Sequence, residues 1–297
     1  GQLPPARDLL LTPDNAARLA DKLSRLRGAA MKVGQLMSME AGELLPPEFT
    51  PVLARMREDS HIMPLGQLAE VLEAHWGRDW ERRFQRFGFT PLAAASIGQV
   101  HEAVLIDGRR LAVKVQYPGV RRSIDSDVDN VAALLRVLPL LPSEARLDDL
   151  LAEAKRQLHE EADYRREAGH IRQFRQLLAA EPDLHLPEVV DDLSTADVLA
   201  MTYVPGAPLE SLDGAEQALR DRVAGRLVEL LLREFLEFGV VQTDPNFANY
   251  RYDHERRHIG LLDFGATRVY PRERMDQIRA LMQAACAGDA RGVERAA

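Results

Sequence analysis

Asp244, Asn249 and Asp263 are the residues of this chain whose types and spacing could do chemistry together. They stand in the run Gln242-Thr-Asp-Pro-Asn-Phe-Ala-Asn-Tyr250 and, after a short polar loop, in Leu261-Leu-Asp-Phe-Gly265. Phosphoryl transfer asks for such a set. Asp244 would take the proton of an attacking hydroxyl, while Asn249, five residues on, and Asp263 would hold Mg²⁺. Charge on the phosphate oxygens is then neutralised as the attacking oxygen is held in line. Asp-Phe-Gly alone is a common tripeptide, and two unrelated acidic turns could supply these residues. Both halves in this order and at this spacing speak for one site.

Elements with two different periodicities must position that segment. Ile97 to Ile106 and Leu111 to Tyr117 are β-rich runs on either side of Asp107-Gly108, which predicts a hairpin. Ala93, Ala94, Ala95, Ser96, Ile97, Gly98 and Gln99 lead into the first strand, where a phosphate-covering loop belongs. Lys114, in Ala112-Val-Lys-Val115, occupies the place of a phosphate-gripping lysine in the second. Flanked by valines on a strand, it reads as buried or half-buried and paired with a carboxylate.

The rest is mostly helical. Thr12-Pro13 predicts a helix start, followed by an apolar face through Leu19, Leu23, Leu26, Ala30, Val33 and Met37. Within it, Lys32-Val-Gly-Gln35 reads either as a solvated lysine beside a close helix crossing or as a functional insertion. Further helices are expected from Pro46 to Glu58, from Pro64 to His75 with a stop at Gly77, and from Val120 to Leu138. Trp76, Trp80, Phe84 and Phe87 read as packing residues, with cofactor stacking as the alternative. One very long helix is expected from Ser143 towards Ala180, with Glu161, Asp163 and Glu167 along it. On one face, Asp163 and Glu167 would repel unless cations meet them, either Arg165 and Arg166 or cations from elsewhere. His185 to Val190 and Asp197 to Tyr203 read as strands. An amphipathic helix from Glu216 to Phe238, capped by Gly239, delivers the chain into Asp244.

Composition bounds the class. The chain has 297 residues and a net charge of −8, which argues against a general nucleic-acid binder. Its single cysteine, Cys286, excludes an intrachain disulfide and fits a reducing compartment. No apolar run approaches the roughly 20 residues that span a bilayer, and no signal peptide opens the chain. The reading is cytoplasmic, with peripheral association at the inner membrane. The chain begins without a Met, so an anchor beyond either end stays open.

Taken together, Lys32-Val-Gly-Gln35, the Ala-rich loop at Ala93 to Ser96, Glu161-Ala-Asp163 and Gln242-Thr-Asp-Pro245 resemble the UbiB family. These are the AarF-domain atypical kinases linked to ubiquinone biosynthesis and to mitochondrial or plastid lipid metabolism. The resemblance runs from about Leu19 to Tyr270. It implies an α+β, two-lobed, protein kinase-like fold with an N-terminal helical extension packed over the active-site cleft. The expected division is 1–87 for the extension, 88–205 for the N-lobe with inserted helices, and 206–297 for a shortened C-lobe. It also implies ATP or ADP with Mg²⁺ as cofactors. Lys114 would contact the α- and β-phosphates and pair with Glu167, and Asp244 would be the catalytic-loop acid. Asn249 and Asp263 would be the metal ligands, and Ala93 to Gln99 would cover the phosphates. Met201, Tyr203 and Val204 would meet adenine through backbone groups, although Thr202 stands where many relatives carry an acid.

Lys32 and Gln35 would enter the cleft beside Glu161 and Asp163 and exclude peptides. The implied acceptor side is a membrane surface with an isoprenoid or quinone-precursor lipid and a biosynthetic protein complex, not nucleic acid. Two rivals stay open: a small-molecule phosphotransferase of the aminoglycoside-kinase type, and a catalytically silent nucleotide-binding partner protein. The first would not need Lys32-Val-Gly-Gln35. Against the second, no metal or phosphate ligand has been replaced.

Overall fold

The computed structural model describes Gly28, Ala29, Lys32, Val33, Leu36 and residues 62–95, 97–136, 144–244 and 246–296. The helices expected from Thr12-Pro13 onward (apart from the five residues just named) and from Pro46 to Glu58 lie outside the described residues. So do Gly34, Gln35, Ser96 and Ser143.

In chain order the elements begin with α1 (Leu65–Trp76), β1 (Phe84–Phe87), β2 (Ala93–Ala95), β3 (Gly98–Leu105) and β4 (Arg110–Gln116). Next come α2 (Val120–Arg136), α3 (Glu144–Glu161), α4 (Tyr164–Leu177), β5 (Leu184–His185), β6 (Val198–Thr202) and β7 (Ala207–Pro208). Last are α5 (Gln217–Arg233) with a π-helical turn at Glu234–Phe238, β8 (Val240–Gln242), β9 (Tyr250–Asp253), β10 (His258–Leu261), β11 (Thr267–Val269), α6 (Arg272–Cys286) and α7 (Ala290–Ala296). They form two compact units. One holds residues 1–164 and 190–200, the other 165–189 and 201–297.

The first unit is built on a sheet in the order β1-β3-β4-β6, with β2 folded back on β3. The β3–β4 hairpin turns at Asp107-Gly108 as its sequence requires, with Gly108 at φ 87° and its N–H on the Leu105 carbonyl at 2.9 Å. Leu111, Val113 and Val115 are fully buried and pack with Leu68 and Leu72 of α1. Trp76, Trp80, Phe84 and Phe87 form a cluster of tilted and edge-to-face rings with centroids 5.1–6.4 Å apart. Packing is their role there. The Trp76 indole N–H is satisfied by the Leu193 carbonyl at 3.0 Å. α1 ends at Gly77, at φ 85°.

The long helix expected from Ser143 to Ala180 is instead two helices, α3 and α4, broken at Ala162-Asp163. Competing partners explain the break. The Ala162 carbonyl takes the Gln116 carboxamide N–H at 2.8 Å, and the Tyr164 N–H goes to the Ala196 carbonyl at 3.0 Å. The helical ladder is therefore interrupted, and Asp163 and Glu167 do not sit four apart on one continuous helix.

In the second unit a four-stranded sheet runs β5-β10-β9-β7, and β8 pairs antiparallel with β11. The segment read as one strand from His185 to Val190 is shorter. Only Leu184–His185 is a strand, parallel to β10, with a single bridge from Val189 to Met201. α5 is clamped to the segment before β5. The Arg226 guanidinium makes a two-pronged contact with Asp183 at 2.8 and 3.1 Å, and it also contacts Glu181. These partners raise the Arg226 pKa and hold Asp183 below the usual carboxylate range. The π turn ends at Gly239, at φ 66°, where a Cβ would lie 2.2 Å from the Met275 sulfur. The left-handed backbone there favours glycine, and any Cβ would also have to displace the Met275 side chain.

Candidate functional site

In the second unit, β8 feeds the segment carrying Asp244 and Asn249, and the β9–β10 hairpin returns the chain to Asp263. Asn246 opens a single 3₁₀ turn, Phe247–Asn249, and its side chain accepts the Ala248 N–H at 3.0 Å. That turn aims Asn249 back at the acid. Its carboxamide nitrogen donates to the Asp244 carboxylate at 3.1 Å and to the Asp244 carbonyl at 3.2 Å. The carboxamide hydrogens thus face Asp244, which leaves the carboxamide oxygen as the donor atom to offer a cation.

Asp263 stands at the mouth of a tight turn, its Oδ1 accepting the Gly265 N–H at 2.8 Å. The following Phe264 is buried against Phe174 of α4, ring centroids 5.0 Å apart, so it anchors the turn in the core. His170 Nδ1–H donates to the Phe264 carbonyl at 3.2 Å, and the Phe264 N–H lies 3.5 Å from Glu167 Oε1. Glu167 is buried at 4 % exposure. Thr243 closes the loop base, giving both its N–H and its hydroxyl to the Ala266 carbonyl, at 3.2 and 2.6 Å.

Three residues of this region were given no role from sequence, although Gln242 opens one of the motifs quoted above. Gln242 spans the loop. Its Oε1 accepts the Asp244 N–H at 2.9 Å, and its Nε2 donates to the Asp263 carbonyl at 3.3 Å. Glu234 is buried, with its Oε2 accepting the Gln242 N–H at 2.9 Å. Burial pushes the Glu234 carboxyl up to about 7, opposed by that one backbone hydrogen bond. Glu234 stands one turn beyond Leu230 and shares a face with Val223, both buried, a placement that its charge disguises in the sequence. Tyr250 is the third. Burial raises its phenol above the ordinary value, and the charges of Glu234 and Asp244 raise it further.

In the first unit Lys114 is only 5 % exposed, with its ammonium 5.7 Å from the centroid of the Tyr164 ring. Its register partner across the hairpin is Val100. Gln116, two residues on and so on the same side of the strand, is also buried, and it ties β4 to the Ala162 carbonyl. Alternation around Lys114 could have found it. The Ala-rich stretch is the short strand β2, pairing Ala93, Ala94 and Ala95 with Val100, Gln99 and Gly98. Ile97 and Gln99 are buried. A Cβ on Gly98 would lie 2.3 Å from the Val115 carbonyl oxygen and 3.0 Å from the Tyr164 hydroxyl.

Lys32, at a helical position with Ala29 and Val33 buried beside it, forms an ion pair with Glu161 at the end of α3. Their side chains are 13 % and 16 % exposed. Asp163 follows in the break before α4. Met201 and Val204 are buried, Tyr203 is half-buried, and the Thr202 hydroxyl accepts the Glu188 N–H at 2.8 Å.

Among the described residues no group of three or more His, Cys, Asp or Glu side chains could hold a metal ion. Mg²⁺ is suited by less, since it keeps waters and is held by one or two carboxylates plus substrate phosphates. Asp263 and the Asn249 carboxamide oxygen are hard donors of that kind. Among the described residues no helix is long and apolar enough to cross a membrane.

Comparison with known proteins finds relatives over nearly the whole chain. Atypical kinase COQ8B, mitochondrial, of Rattus norvegicus is 42 % identical over 279 residues, covering 94 % of this chain and 53 % of that protein. Atypical kinase COQ8, mitochondrial, of Saccharomyces cerevisiae is 38 % identical over 292 residues, covering 98 % of this chain and 58 % of that protein. The chain spans about half the length of these curated relatives. The structure of Rv3197 with erythromycin, from Mycobacterium tuberculosis, superposes with a TM-score of 0.62 at 29 % identity, covering 97 % of this chain and 73 % of that one. The fold is α+β and kinase-like, as the resemblance implied. The family model described as the ABC1 atypical kinase-like domain matches residues 55–297, and the chain belongs to that family, the UbiB kinases of the AarF-domain type.

Proposed function

We propose that this chain is a Mg²⁺-dependent, kinase-like ATPase that supports ubiquinone or other isoprenoid-lipid metabolism at a membrane surface. The observation that carries the reading is the Asn249–Asp244 hydrogen bond beside the Asp263 turn. It fixes a carboxylate next to a carboxamide whose oxygen remains for a cation, which is the division of labour phosphoryl transfer needs.

In this reading Lys114 grips the α- and β-phosphates, and Glu167 pairs with it, as the resemblance implies. The β2–β3 turn covers the phosphates, and Met201, Tyr203 and Val204 offer backbone groups to adenine. Asn249 and Asp263 would hold Mg²⁺, which when bound neutralises charge developing on the phosphate oxygens. Asp244 orients the attacking hydroxyl or water and takes its proton. Lys32, with Glu161 and Asp163, would exclude a peptide, and the resemblance adds Gln35 to that set. Peripheral attachment to a membrane carrying a quinone-precursor lipid, within a biosynthetic complex, completes the proposal. The mycobacterial relative was solved in complex with erythromycin, which supports a small organic molecule as a ligand class for this fold.

The test is phosphate release from ATP by the purified protein, with and without Mg²⁺, anionic vesicles and a phenolic quinone-precursor mimic. Mg²⁺-dependent release, accelerated by vesicles or phenol, is expected. Rapid phosphorylation of a generic peptide would overturn the assigned role of Lys32.

A further inference from the structure

One buried acid has no part in the chemistry just assigned. Glu234 opens the π-helical turn that ends α5, and its residue is 4 % exposed. The turn is π-helical because the Gly239 N–H returns to the Glu234 carbonyl at 2.9 Å, five residues back. π turns tend to occur where a helix has been adjusted to aim a group. Here the group aimed is a carboxyl, and its target is the backbone of Gln242 at 2.9 Å.

Gln242 hands that constraint on in two directions, through its 2.9 Å contact to the Asp244 N–H and its 3.3 Å contact to the Asp263 carbonyl. We infer that Glu234 is a positioning residue for Asp244 and Asp263, fixing the Gln242 backbone from which one carboxamide spans both acidic residues. The inference rests on the proposed roles of Asp244 as base and Asp263 as metal ligand. An apolar side chain at 234 would fill the same space at less desolvation cost but would leave the Gln242 N–H without its acceptor. An acceptor oxygen is therefore what the site selects. Tyr250, whose phenol responds to both Glu234 and Asp244, places the two acids in one electrostatic neighbourhood.

The experiment compares Glu234→Gln, which keeps an acceptor oxygen, with Glu234→Met, which keeps the length and loses it. Steady-state phosphate release gives kcat and the KM for ATP, and amide hydrogen exchange at Gln242 reports its bond. Glu234→Gln should stay within about threefold of wild type, whereas Glu234→Met should lose roughly tenfold or more in kcat with little change in KM. The Gln242 amide should lose protection in Glu234→Met while the core of α5 keeps its own. Should Glu234→Met not fold, Glu234→Asp replaces it. It keeps the carboxyl one methylene short of Gln242, and a drop in kcat relative to Glu234→Gln is expected.

Wild-type kcat in Glu234→Met, or equal losses in the Gln and Met variants, would overturn the inference. Asp263→Asn in the same assay separates the two layers. If that variant releases phosphate like wild type, the functional reading itself fails. If it is inactive while Glu234→Met is not, only the role of Glu234 fails.

Discussion

The surroundings of Lys114 and of Asp244 solve the same problem, placing one charged group, by different means. Lys114 sits in a continuous antiparallel ladder running from Gly98 opposite Gln116 to Val104 opposite Arg110. Its place is set by register, and the valines around it bury the strand. Asp244 follows a strand of three residues, and the bonds holding it come from side chains: Gln242, Asn249, Thr243 and, one step back, Glu234. A ladder shares its strain among many backbone bonds. A loop held by side chains depends on each of them, so single polar substitutions should be felt in the second unit and backbone-filling ones in the first.

The largest effect is expected where the loop meets the metal. Asp263→Asn should abolish the Mg²⁺-dependent part of nucleotide thermal stabilisation and slow phosphate release on the order of a hundredfold or more. Equal Mg²⁺-dependent shifts in variant and wild type would remove Asp263 from the ligand set.

Next comes the pH dependence of stability through Glu234. Its carboxyl rises from 4.5 to about 7 on folding, so between those values the folded state binds more protons than the unfolded one. Stability from this group is full below about pH 4.5 and falls as pH rises towards 7, by about 3 kcal/mol in all. Tyr250 is neutral throughout that window, because its phenol is shifted further up. Urea unfolding from pH 4.5 to 7.5 should show this slope in wild type and lack it in Glu234→Gln. Parallel profiles for the two proteins would refute the shift.

The ladder is tested by Gly98→Ala. Its methyl would meet the Val115 carbonyl oxygen at 2.3 Å, a backbone atom that cannot swing aside. A loss of about 2 kcal/mol is expected in denaturant unfolding. If alanine proves neutral there, the sheet is more pliant than the comparison supposes.

The smallest effect is expected at Lys32. Its pair with Glu161 is mostly but not fully shielded from water, so Lys32→Ala should cost roughly 1 kcal/mol. A double-mutant cycle with Glu161→Ala measures the coupling, and a value near zero would mark the contact as incidental.

The sequence by itself determined the β3–β4 hairpin, through Asp107-Gly108 and the alternating valines, because turn chemistry and period-two patterning are local. It determined the helix stops at Gly77 and Gly239 for the same reason, and the order of the motifs that carry the family resemblance. The break between α3 and α4 was not legible, since nothing local forbids a helix through Ala162-Asp163. It exists because Gln116 and Ala196, distant in sequence, compete for the Ala162 carbonyl and the Tyr164 N–H. Glu234 is the sharper case. In sequence it is one of several charges interrupting an oily stretch, and only packing turns it inward and gives its oxygen a donor eight residues away. Local rules fix which backbone shapes are available, whereas the partners of buried polar groups are chosen by the tertiary structure, because an unpaired one is too costly to leave.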